Sequence, residues 1–107
     1  MNAPPRHRLR LVVRGAVQGV GFRPYVFRLA TELSLTGWVN NSPLGVQLEV
    51  EGARPAVEQF LFRLPREIPP PSSIQSLAAT WLDAAGFPRF EIRPSAAGGE
   101  RQALVLP

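Results

Sequence analysis

Near the start of the chain Leu9, Leu11 and Val13 alternate with Arg8, Arg10 and Val12, a two-residue period that predicts a strand with one buried face. From Val26 the period changes. Val26, Leu29, Ala30 and Leu33 fall at i, i+3, i+4 and i+7, one apolar stripe of a helix, with Arg28, Thr31, Glu32 and Ser34 turned away. Pro24 suits the first helical position, where a missing N–H costs nothing, and Gly37 marks the exit. A short strand over 37–40 and a turn over 41–45 follow. Then Val46, Leu48 and Val50 alternate with Gln47, Glu49 and Glu51, the cleanest strand pattern in the chain. The two strands are close enough for a hairpin with a loop of about five residues. Val57, Phe60, Leu61 and Leu64 repeat the helical stripe, opened by Pro55 and closed by Pro65. Pro69-Pro70-Pro71 forms a stiff connector, 74–82 reads as a strand of poor alternation, and 90–93 as a last short strand. The order is β-α-β-β-α-β with one short extra strand. It implies a two-layer α+β sandwich, both helices on one face of an antiparallel sheet. Residues 1–7 read as a flexible tail, 8–94 as the domain and 95–107 as a linker.

Composition narrows the chemistry. The 107 residues fit one compact domain, and 45% hydrophobic content fills one core. All 12 basic residues are Arg, so the net charge of +4 persists at any ordinary pH. That charge suits nucleic acid, an anionic membrane or a small anionic substrate, and the Arg-only usage is equally accounted for by nucleotide composition of the source. Without Cys there is no disulfide or thiolate metal site, and His7 is the sole histidine. Metal binding and histidine catalysis are therefore not expected, nor is any cofactor. No stretch approaches the roughly 20 apolar residues that span a bilayer. Arg10 and Arg14 interrupt the apolar run that a signal peptide needs. A cytoplasmic protein without membrane partners is expected.

Between the first strand and the first helix lies Gly15-Ala-Val-Gln-Gly-Val-Gly-Phe-Arg23. Gly15, Gly19 and Gly21 permit sharp bends that turn successive N–H groups inward, and the start of a helix adds its positive end to the same spot. A glycine-rich turn by itself is an ordinary strand-to-helix connection. Arg23, however, brings a full positive charge where a helix normally prefers an acid, and Pro24-Tyr25-Val26-Phe27 supplies none. The unmatched positive potential points to an anion from outside, with phosphate the best fit. The sequence is neither a Walker loop nor a dinucleotide fingerprint, since no Lys-Ser/Thr pair follows and the glycine spacing differs. Trp38-Val39-Asn40-Asn41 is the second candidate. Its asparagines suit the start of a turn; a functional reading needs one of their amides to point at the glycine loop, which this topology allows. Arg6, Arg8, Arg10 and Arg14 form a basic set, but the strands that would stack RNA bases carry no aromatic residue. A solvated face is the better reading, and no nucleic-acid partner is expected.

Taken together, G-A-V-Q-G-V-G-F-R and G-W-V-N-N-S-P-L-G-V resemble the two signature segments of the acylphosphatase family, in order and over residues 9–93. The resemblance implies a ferredoxin-like α/β sandwich that hydrolyses the carboxyl–phosphate bond of acyl phosphates. It implies that Arg23 binds phosphate, that the backbone of Gln18, Gly19, Val20, Gly21 and Phe22 cradles it, and that Asn41 rather than Asn40 orients the attacking water. The run Q-G-V-G-F-R-P-Y-V-F-R-L-A is similar, more narrowly, to the N-terminal acylphosphatase-like domain of the HypF hydrogenase-maturation carbamoyltransferases. That likeness implies carbamoyl phosphate as substrate and other HypF domains and maturation proteins as partners. Phe90-Glu-Ile-Arg-Pro-Ser and Leu104-Val-Leu-Pro resemble the lead into the cysteine-rich zinc region of those proteins, so 95–107 is expected to lead into further domains. The alternative is a module that binds phosphate or carbamoyl phosphate with little turnover of its own.

Overall fold

The computed structural model describes residues 5–94, in the order β1 (His7–Ala16), α1 (Phe22–Glu32), β2 (Thr36–Ser42), β3 (Gly45–Gly52), α2 (Arg54–Arg66), β4 (Ser73–Leu82) and β5 (Phe90–Ile92). The strands form one sheet in the order β4-β1-β3-β2-β5. Four of them pair antiparallel, as the patterning predicts, while β5 lies parallel to β2 and makes the sheet mixed. Leu9, Leu11 and Val13 of β1, Val39 of β2 and Val46, Leu48 and Val50 of β3 are buried with Val26, Leu29 and Ala30 of α1 and Val57, Phe60 and Leu64 of α2. Both helices therefore cover one face of a ferredoxin-like α+β sandwich. Complete burial of each Val, Leu or Phe side chain contributes roughly 1.5–3 kcal/mol, which makes this shared layer the main term holding helices to sheet.

Several boundaries differ from the sequence expectation, each for a local reason. Strand β1 already begins at His7, within the expected tail, and Arg6 donates to Thr36 and to the buried carboxylate of Glu51. The remainder of that tail, residues 1–4, and the expected linker, 95–107, lie outside the described residues. Helix α1 begins at Phe22, so Pro24 occupies the third helical position rather than the first. It is tolerated because no N–H in the first turn has an intrahelical acceptor. Pro65 sits inside the last turn of α2, which ends at Arg66. The hairpin loop is also tighter than expected: Ser42 pairs with Gly45, leaving only Pro43 and Leu44 between the strands. Gly45 adopts φ 122°, and Ser42 Oγ accepts from the N–H of Leu44 and donates to the carbonyl of Gly45. Asn41 consequently belongs to a strand, where the pleat fixes its direction.

Glu49 and Glu51, expected to face solvent, are buried. Glu49 pairs with Arg8 of β1, and for Glu51 the cause is the segment joining β4, at one edge of the sheet, to β5, at the other. It crosses the face opposite the helices, and the N–H groups of Ala85, Gly86 and Phe87 all donate to Glu51.

Candidate active site

Strands β1 and β2 run in the same direction, each antiparallel to β3, so the segment after β1 and the end of β2 meet at one end of the sheet. Residues 17–21 cross from β1 to α1 there. Gly15 is part of β1 rather than of the turn; a Cβ on it would strike the Ser73 carbonyl of β4. The bend itself uses Gly19 at φ 72° and Gly21 at φ 81°, left-handed conformations that cost other residues roughly 1–2 kcal/mol. Added Cβ atoms would meet nothing within 4 Å at either position. Glycine is needed there for its backbone, and the space above it is open.

Gly21 also caps α1, with no side-chain cap bond and no acid in the first turn. Among the described residues, no N–H of Gln18, Gly19, Val20, Gly21, Phe22 or Arg23 finds an acceptor. Six consecutive donors at a helix N-terminus are thus left without an acceptor among the described residues. Arg23 is half-buried and has no carboxylate partner among the described residues. Its Nη1 donates to the carbonyl of Arg93, 3.4 Å away, just beyond β5. The N–H of Arg93 in turn donates to the carbonyl of Val39 in β2, two residues from Asn41. At the other end of the loop, Nε2 of Gln18 donates to the carbonyls of Ser42, at 3.1 Å, and Gly45, at 3.4 Å. Loop and guanidinium are both tied to the backbone that flanks Asn41.

The pleat then distinguishes the two asparagines. Asn41 alternates with the core residue Val39 and pairs with Val46, so it stands on the helix side, where α1 begins. Asn40 pairs with Gln47 and stands on the opposite side, with Trp38. Burial does not separate them, because the Oδ1 of each is buried without a hydrogen-bond partner.

A profile described as acylphosphatase matches residues 9–92, nearly the whole described chain. The chain belongs to the acylphosphatase family. An acylphosphatase of Syntrophotalea carbinolica is 42% identical over 88 residues, covering 80% of this chain and 95% of that protein. A HypF carbamoyltransferase of Synechocystis is 45% identical over 95 residues, 89% of this chain but only 12% of that protein. The chain thus spans about an eighth of the carbamoyltransferases it matches. Among solved structures, full-length HypF in a phosphate- and nucleotide-bound form superposes with TM-score 0.81 at 33% identity, over 92% of this chain and 13% of that one. The acylphosphatase of Bacillus subtilis gives TM-score 0.76 at 34% identity, over 81% and 98%.

In this acylphosphatase-family chain the expected site residues converge on one end of the sheet. Sequence reasoning assigned only the backbone of Gln18, and its side chain turns to the β2–β3 turn. The carbonyl of Arg93 as a hold on Arg23 is also new, since no spacing rule joins residues 70 positions apart. A groove of about 230 Å³ lined from both helices, by Tyr25, Arg28, Glu32, Arg63 and Glu67, lies elsewhere. Its charges largely satisfy one another: Arg63 pairs with both Glu32 and Glu67 at 2.8 Å. Burial pushes the Tyr25 hydroxyl up to about 12, with the Glu67 carboxylate adding to the shift. No helix among the described residues is long and apolar enough to cross a membrane, and those residues hold no cluster of metal-binding side chains.

Proposed function

We propose that this chain hydrolyses acyl phosphates, with carbamoyl phosphate as its substrate in a HypF-like protein. The observation that carries the reading is the run of six N–H groups over 18–23 that find no acceptor among the described residues, beside the guanidinium of Arg23, which has no carboxylate partner among them. An acyl phosphate is already activated, so a catalyst must chiefly bind its phosphoryl group, stabilise the equatorial oxygens and aim a water in line. The amides and Arg23 perform the first two tasks as fixed donors. Asn41 performs the third, holding water through its amide. The water oxygen bonds to phosphorus, the bond from phosphorus to the acyl oxygen breaks, and the electron pair leaves with the carboxylate. A phosphoryl oxygen takes the water's proton. Nothing in this sequence of events needs a cofactor.

Carbamoyl phosphate is favoured by the 45% identity to carbamoyltransferases, and partnership with further HypF domains follows from the same likeness. Because the chain covers 12% of such a relative, a module that holds the substrate for other domains is the second reading. Phosphate release from carbamoyl phosphate and benzoyl phosphate separates them. Turnover of either supports hydrolysis, faster turnover of the carbamoyl compound supports the substrate, and tight phosphate binding with no release supports the module. Inorganic phosphate is expected to shift the amide resonances of 18–23 and Asn41. Shifts confined to Arg8 and Arg10 would overturn the site.

A further inference from the structure

Among the described residues the N–H groups of the loop find no acceptor, so something else must fix its position against β2. Val17 and Phe22, both buried, pin its two ends to the core. Between them, the side chain of Gln18 makes the hydrogen bonds that join the loop to the β2–β3 turn. Gln18 itself is exposed, and its Nε2 spans the carbonyls of Ser42 and Gly45, the paired residues that close that turn. A primary amide has two N–H donors, so both acceptors are served at once. Ser42 adjoins Asn41. The bond therefore sets the spacing between the phosphate cradle and the residue that holds the water.

We propose that Gln18 is a positioning residue of the hydrolytic site. Its backbone N–H belongs to the cradle, while its side chain acts as a strut that keeps Asn41 in line with the bound phosphoryl group. This role rests on the hydrolytic reading above. The strut is a matter of alignment rather than of binding: the cradle's shape is set by Gly19 and Gly21, whereas its distance from Asn41 is set by Gln18. Misplacement of a reacting group by about 1 Å costs on the order of 100-fold in rate, so partial loosening is expected to cost about tenfold.

Gln18→Met keeps the length of the side chain and removes both donors; Gln18→Ala removes the whole strut. Both are expected to lower kcat about tenfold or more, with the inhibition constant of inorganic phosphate unchanged within about twofold. The decisive measurement is a double-substitution cycle. In an Asn41→Ala background, Gln18→Met is expected to cause little further loss, because the residue it aligns is already gone. Additive losses, or a raised phosphate inhibition constant with kcat preserved, would overturn the positioning role. A general structural defect would appear as additive loss with a lowered melting temperature, and it too would overturn it. If the unaltered chain released no phosphate from acyl phosphates, the hydrolytic reading itself would fail, a result distinct from any ranking of the Gln18 variants.

Discussion

At the scale of single residues, Arg23 and Asn41 divide the proposed work, and their substitutions are expected to divide the kinetics. Arg23 supplies the side-chain cation beside the free amides, held to the Arg93 carbonyl. Arg23→Ala is expected to weaken phosphate inhibition and to lower kcat/KM about 100-fold or more, the usual cost of removing one donor from such a site. Arg23→Lys is expected to rescue little, because a point charge cannot bond the carbonyl and phosphate as a planar fork does. Near-normal turnover by either variant would refute its role. Asn41→Ala is expected to lower kcat about 100-fold while leaving the phosphate inhibition constant nearly intact. Asn40→Ala, on the other face of β2, is expected to be mild by comparison. The reverse ranking, in folded proteins, would show that the wrong asparagine has been assigned. The motifs made both residues legible in the sequence. The unpaired, buried Oδ1 of Asn41 is not, because the sequence pattern ends its strand at residue 40, two residues before Ser42.

At the scale of elements, the apolar stripes make both helices legible, yet two telling residues of α1 precede its stripe. Phe22 and Tyr25 are buried in the first turn of α1, where the local sequence shows only a glycine loop and an acid-free helix start. Their chemistry explains it: Phe22 closes the loop over the core, and Tyr25 reaches across to donate to the carbonyl of Leu64 in α2 at 2.8 Å. The turn before them is a backbone device. With φ 81° and open space around it, Gly21 admits a side chain sterically but not conformationally. Gly21→Val is expected to destabilise the protein by about 1–2 kcal/mol and to abolish the rise in melting temperature on adding phosphate. Gly21→Asn is expected to retain more of both, since Asn tolerates the left-handed region. Equal phosphate stabilisation in Gly21→Val and the parent chain would show that the cradle does not depend on this bend.

At the scale of the whole molecule, the least legible feature was the path from β4 to β5. Residues 83–89 carry no periodic pattern, and alternating Glu49 and Glu51 look like a solvated strand face, although both are buried, Glu51 beneath that distant segment. Only tertiary structure reveals that Glu51 is the tie for that crossing. Its side chain is fully buried, with the N–H groups of Ala85, Gly86 and Phe87 at 3.0–3.2 Å and the Arg6 guanidinium at 3.4 Å. Burial alone would push the carboxyl up, but the N–H groups of Gly86 and Phe87, joined by Arg6, outweigh it and hold it below the usual range. Its folded value thus lies below the unfolded one. The stabilisation it gives is present above the unfolded value, about 4.5, and is lost as pH falls through the folded one. Glu51→Gln offers one acceptor and two unwanted donors to the same N–H groups, and is expected to cost about 3 kcal/mol at pH 7. Urea unfolding of parent and variant from pH 7 to pH 3 is the test, and their difference is expected to shrink below pH 4.5. A difference constant across that range would mean that the Glu51 charge does not hold the crossing. Glu51 lies five residues along β3 from Val46, about 17 Å from the level of Asn41. Turnover at pH 7 is therefore expected to survive the substitution, since the tie and the phosphate cradle occupy opposite ends of the sheet.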